Sequence, residues 1–272
     1  MSNDVLLDIL FEDRPHALAP IVAAWLTSSR RFARFARDHQ TKIRKKLRAV
    51  QDPESVRDLH LELETAFQFT LAKALTPVYE PSTSTSRGPD FAVHYTTSLE
   101  FMVEVTRVRP DSDAPTIAAS DRAGPDDDLA RTARAALSER RLAGVLASKL
   151  GQAVAGHANL LIVAIDAPPP LKEDIDVAMR GIRRRVETSD LAVLQRQGFA
   201  DRGTYLRRAD RLSAILIRRA PDPHQGAERI PASPVTLWSN PHAAIPLPNK
   251  VQSTVLGVVG PRTAVDPATF AS

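Results

Sequence analysis

Apolar residues recur at helical spacing through the first fifty positions: Val5, Leu6, Ile9 and Leu10, then Ile21, Trp25, Phe32 and Phe35. This predicts helices over residues 4–50, divided where Pro15 and Pro20 remove backbone donors. Asp52-Pro53-Glu54 is a helix start, with an Asp cap, Pro in the first turn and acids at the positive helix end. The helix it opens runs to about Leu75, stops before Pro77, and carries Val56, Leu59, Leu63, Phe67 and Leu71 on its apolar positions. Val78-Tyr79-Glu80 reads as a short strand and residues 81–88 as turns. Phe91–Tyr95 and Leu99–Val108 alternate as two antiparallel strands turning around Thr97. Residues 109–128 are rich in Pro, Asp, Ala and Ser without periodicity, which predicts a mobile loop able to serve as a lid. A long helix is expected over Leu129–Ala155. The continuous apolar run Asn159–Asp166 predicts a strand buried on both faces. Residues 172–211 read as mostly helical and basic, and Leu212–Ile217 as the last strand. Nine of the 21 prolines follow residue 220, which predicts an extended, irregular tail.

This order predicts an α/β (or α+β) fold, a mixed sheet flanked by helices. It divides the chain into a basic helical extension over residues 1–50, a core over 51–220 and a Pro-rich tail over 221–272. The chain has no cysteine, which excludes disulfides and thiolate metal sites and fits a reducing cytoplasm. No run of about 18 apolar residues exists to cross a membrane. Met1-Ser2-Asn3-Asp4 lacks the basic start of a secretory signal. A cytoplasmic protein without a membrane partner is expected.

The formal charge is +4 and the pI about 9.6, but the positive charge is clustered. Arg30, Arg31, Arg34 and Arg37 lead into Lys42, Arg44, Lys45, Lys46 and Arg48; further clusters are Arg180–Arg185 and Arg207–Arg211. Such runs can contact a phosphate backbone, and Lys42–Arg48 is the strongest candidate. Trp25, Phe32 and Phe35 have the spacing of core residues rather than of base-stacking ones.

The hairpin carries the candidate chemistry. If Tyr95 faces Leu99, counting equally outward along both strands brings Asp90 opposite Glu104, with Cβ atoms roughly 4.5–5.5 Å apart. Facing acids repel unless a cation lies between them. Mg²⁺, which takes one or two carboxylates together with water and phosphate oxygens, suits that place. Strand period puts Glu100, Met102, Glu104 and Thr106 on one face and Phe101, Val103 and Val105 on the other.

Gly88-Pro89-Asp90 followed by Glu104-Val105-Thr106, in this order of elements, resembles the PD-(D/E)XK nuclease superfamily over residues 62–217. The resemblance implies a restriction-endonuclease-like fold and a Mg²⁺- or Mn²⁺-dependent nuclease, a DNA endonuclease of restriction or phage-defence type. It also implies that Asp90 and Glu104 hold the metal and that a helix acid joins them. Thr106 stands where the family has its lysine. Lys149 is the candidate replacement, because Leu142, Val145, Lys149 and Gln152 form one stripe of the expected helix. Gln152 and Thr106 are its hydrogen-bonding support. The helix acid is Glu62 or Glu64; Glu62 shares an apolar stripe with Leu59, Ala66 and Phe69 and is expected to face inward. Glu80 and His94 lie nearby as lesser candidates, while His157, His224 and His242 stand singly. The missing lysine leaves a second reading open: a degenerate relative that binds nucleic acid or a partner protein without cutting it. An RNA substrate and a homodimer are also compatible with the sequence.

Overall fold

A computed structural model describes residues 2–12, 14–81, 88–108, 144–145, 148–166, 169–188, 195, 199–220 and 234–260. The expected loop at 109–128 and most of the expected helix at 129–155 lie outside these residues. Four short helices open the chain: α1 (Asn3–Phe11), α2 (Ala19–Ser28), α3 (Arg30–Asp38) and α4 (Gln40–Ala49). Pro20 sits in the first turn of α2, and Ser29 caps α3 by accepting from the Phe32 N–H. The longer α5 (Pro53–Leu71) starts as expected, with the Asp52 side chain accepting from the Ser55 N–H.

The sheet has six strands in the order β1 to β6: β1 (Leu75–Tyr79), β2 (Phe91–Tyr95), β3 (Leu99–Arg107), β4 (Ala158–Ile165), β5 (Leu212–Arg219) and β6 (Val235–Ser239). β3, β4 and β5 run parallel; β1–β2–β3 and β5–β6 are antiparallel. Two helices, α6 (Lys172–Thr188) and α7 (Arg202–Ala209), precede β5, and α8 (Asn249–Val259) follows β6. The fold is mixed α/β. Parallel β3 and β4 need a long crossover, and the unbroken apolar run of β4 is what a strand covered on both faces requires.

The two faces have separate cores. Phe91, Val93, Phe101, Val103, Val105, Leu160, Ile162, Ala214 and Leu216 point to one side, against α1–α5 and α8. Leu161, Val163, Ile215 and Ile217 point to the other, against α6, α7, Leu150 and Trp238. Trp25 and Phe32 are buried in the first core, where Trp25 stacks on Phe67 of α5 at 5.1 Å between ring centroids. The α1–α4 layer thus shares one core with α5.

Of the chain beyond residue 220 the described part, residues 234–260, differs from expectation, and the rest of the expected tail lies outside the described residues. Within it, β6 extends the sheet and α8 buries Val251, Val255 and Val259. Pro234 precedes β6 and Pro248 sits at the N-cap of α8, so these prolines bound elements instead of preventing them. The strand at 212–219 is correspondingly not the last. Val255 is fully buried against the first core. Val255→Ala is expected to cost about 2 kcal/mol of unfolding free energy, read as a lower urea midpoint at unchanged slope. An irregular tail would show no change. Among the described residues no helix is long and apolar enough to cross a membrane.

Candidate active site

β3 outruns its partner. The last β2–β3 pair is Phe91 with Val103, and β3 continues to Arg107 beside β4 alone. Just beyond that last pair the Asp90 carboxylate substitutes for a strand: its Oδ2 accepts the Val105 N–H at 2.8 Å. The Asp90 carbonyl accepts the Glu80 N–H at 2.7 Å, which ties the end of β1 to the same place. The hairpin register pairs Tyr95 with Leu99, as the sequence predicts, and turns through Thr96–Ser98. Continued one step, that register brings Asp90 and Glu104 together.

The described residues here enclose a cleft of about 400 Å³ lined by Glu62, Glu80, Asp90, Glu104, Thr106, Lys149 and Gln152, with Asp58 and Arg107 on its far wall. Lys149 donates from Nζ to Glu104 Oε1 at 2.6 Å. Glu104 is only 8% exposed, and its Oε2 is buried without a hydrogen-bond partner among the described residues. Such an orphaned oxygen is costly unless a cation or donor meets it. The Asp90 carboxyl is held well above the usual aspartate range, by desolvation first and then by Glu62 and Glu104. Burial likewise raises Glu104, against the pull of Lys149. These are acids short of positive charge.

Glu62 and Glu64 have different fates. Glu62 reaches the cleft, where its Oε2 accepts from Lys46 Nζ at 2.6 Å and from the Tyr79 hydroxyl at 2.7 Å. Glu64 turns to β5, where Arg218 donates to it at 2.8 Å and to Gln68 at 2.8 Å. Glu62 lines the cleft and Glu64 does not, but the expectation that Glu62 is the more inward-facing fails: Glu64, 4% exposed, is the more deeply buried. Nothing local in the sequence announces Arg218 as its partner. Lys149 and Gln152 both face the cleft, although the helix there gives way to a 3₁₀ turn at Leu150–Gln152 instead of running to Ala155.

The basic run of α4 is divided, with Lys42 and Lys46 turned toward the end of β1 and Arg44, Lys45 and Arg48 left on the outside. Lys42 donates to the Tyr79 and Glu80 carbonyls at 2.9 and 2.5 Å. Lys46 bridges Glu62 and Glu80. Arg44 and Arg48 both pair with Glu12, while Lys45 is exposed. His94 lies outside the cleft, within 3.3 Å of Glu100, which also lies 3.3 Å from His157. Arg107, whose side chain is fully buried, ties Glu54 and Asp58 of α5 to Asp166 after β4 and closes the far wall.

Among the described residues no group of three or more His, Asp or Glu side chains gathers closely enough to enclose a metal ion. Two carboxylates with an orphaned oxygen still suit Mg²⁺, which keeps several waters and rarely uses an all-protein cage. Comparison of the chain with models of known families, with curated proteins and with solved structures found no match.

Proposed function

We propose that this protein is a Mg²⁺-dependent nuclease of the PD-(D/E)XK type, acting as a DNA endonuclease. The observation that carries the reading is Glu104: one oxygen fixed on Lys149, the other buried, unpartnered and beside Asp90. Asp90 and Glu104 would hold the ion, which supplies charge stabilisation at the scissile phosphate when bound. Lys149 lines the cleft with three N–H donors, one of them given to Glu104. There it orients the attacking water and stabilises the developing negative charge, the task the family gives to the lysine replaced here by Thr106. Glu62, fixed by Lys46 and Tyr79, would accept a hydrogen bond from a metal-bound water. Gln152 and Thr106 supply hydrogen bonds along the same wall.

The test is incubation of the purified protein with plasmid, single-stranded DNA and RNA in Mg²⁺ or Mn²⁺. Cleavage is expected with plasmid and is expected to stop with EDTA. Lys149→Ala should lower the rate about 10²-fold while Mn²⁺ binding persists, since Asp90 and Glu104 remain. Unchanged cleavage in Lys149→Ala removes the lysine assignment. Thr106 favours a second reading, a protein that binds nucleic acid without cutting. It predicts salt-sensitive DNA retention, no cleavage and no Mn²⁺ heat signal.

A further inference from the structure

Lys46 comes from a helix that precedes the sheet, yet its ammonium lies inside the acid cluster. Nζ is 2.6 Å from Glu62 Oε2 and 3.0 Å from Glu80 Oε1. It also sits 4.9 Å from the centroid of the buried Tyr79 ring, a cation–π contact that holds it on this side. Tyr79 in turn donates its hydroxyl to the same Glu62 oxygen.

Glu80 is held with equal care. It is a non-glycine residue in left-handed backbone conformation, φ 44°, a strained state that persists only where the surroundings fix it. They do: Lys42 holds its carbonyl, the Asp90 carbonyl holds its N–H, and Lys46 holds its carboxylate. A strained glutamate fixed at three points and aimed at one ammonium is a built arrangement.

Four carboxylates, Glu62, Glu80, Asp90 and Glu104, line this part of the cleft. Two ammonium groups bond to them, Lys46 on the Glu62–Glu80 side and Lys149 on Glu104. With all four acids ionised, the charge still lacking is that of one divalent ion. The orphaned oxygen lies on the Asp90–Glu104 side, where Lys46 makes no hydrogen bond to either acid.

We infer that Lys46 is a fixed cation of the site, occupying the Glu62–Glu80 half so that the cleft takes one divalent ion, on Asp90 and Glu104, instead of two. This rests on the reading of the cleft as a metal site. Lys46 is a positioning residue: it holds Glu62 and Glu80 in place and supplies to them the positive charge that a second ion would bring. A lysine cannot dissociate with the product as a metal ion can, so the second positive charge is present at every turnover.

The test counts Mn²⁺ on the full-length protein, by electron paramagnetic resonance of free Mn²⁺ and by calorimetry. The wild type is expected to bind one ion per chain. Lys46→Met frees Glu62 and Glu80 and is expected to bind a second ion, more weakly than the first. Lys46→Arg keeps the count at one, and the double variant Lys46→Met with Glu80→Gln returns it to one. Two ions on the wild type, or a folded Lys46→Met protein that still takes only one, overturns the inference. So does a wild type that takes none. If Lys46→Met does not fold, the wild-type count decides alone. One ion on the wild type and two on Lys46→Met, without any cleavage, upholds Lys46 and sinks the nuclease reading. Two bound ions with cleavage does the reverse.

Discussion

Asp90→Asn is expected to abolish cleavage and, with metal removed, to make the protein more stable. Both effects come from one cause. The Asp90 carboxyl is crowded by desolvation, Glu62 and Glu104, which raise its pKa well above the ordinary value. An unfolded aspartate releases its proton near pH 4, about 3.9. Between that value and the raised folded one, the unfolded chain has lost a proton that the native site retains. Native stability therefore falls as pH rises through this window. Asparagine removes the cost and keeps an oxygen to accept the Val105 N–H, the bond that holds this corner together. In EDTA the urea midpoint of Asp90→Asn should exceed the wild type's, by little at pH 4.5 and by more at pH 8. In excess Mn²⁺ the order reverses, because only the wild type gains the binding free energy, about 2.7 kcal/mol at a hundredfold excess over Kd. Loss of about 4 kcal/mol of charge stabilisation at the phosphate corresponds to about 10³-fold in rate. A variant less stable than wild type in EDTA at both pH values refutes the account of Asp90, and cleavage surviving in it refutes the nuclease.

The residues that the sequence makes visible are those whose constraints are local. A tight turn at Thr96–Ser98 fixes the hairpin register, and register fixes which acids face each other. Alternation separates Glu104 and Thr106 from the core-facing Val103 and Val105, and the structure keeps that parity. Lys149 and Gln152 follow from helical spacing, three residues apart, which survives the change to a 3₁₀ turn. Elements that depend on distant partners are harder to read. Lys46 belongs to a basic run that suggests a phosphate contact, and only the folded chain brings it to Glu62 and Glu80. Glu80 lies one residue past β1, and no composition signal marks its left-handed backbone. The β6 and α8 elements carried legible signals that proline content obscured. Val-Thr-Leu-Trp-Ser between Pro234 and Asn240 has strand composition. Val251, Val255 and Val259 recur every fourth residue after Pro248.

Glu62 and Glu64, two positions apart on α5, are expected to fail in opposite ways. Glu64→Leu should lower stability by about 3–5 kcal/mol, because it leaves the Arg218 guanidinium buried without its carboxylate. Arg218 and Glu64 are 4% exposed each, and water cannot replace the lost charge. Burial already raises the pKa of Glu64 despite Arg218, so the pair is held at a cost in desolvation. That cost makes a second result follow. Glu64→Leu combined with Arg218→Met removes both charges, and it should recover most or all of the loss. Glu62→Gln presents the contrast. Its side chain borders the open cleft, and Gln can still accept from Tyr79 and Lys46, so stability should change by less than about 1 kcal/mol. Cleavage should nevertheless fall, because the neutral amide binds a water of the ion's shell less strongly. Urea unfolding of all four proteins, beside plasmid cleavage of the folded ones, separates the roles. A Glu64→Leu protein as stable as wild type would mean that Arg218 does not depend on it. A Glu62→Gln protein that loses several kcal/mol would make Glu62 a structural residue and remove it from the site.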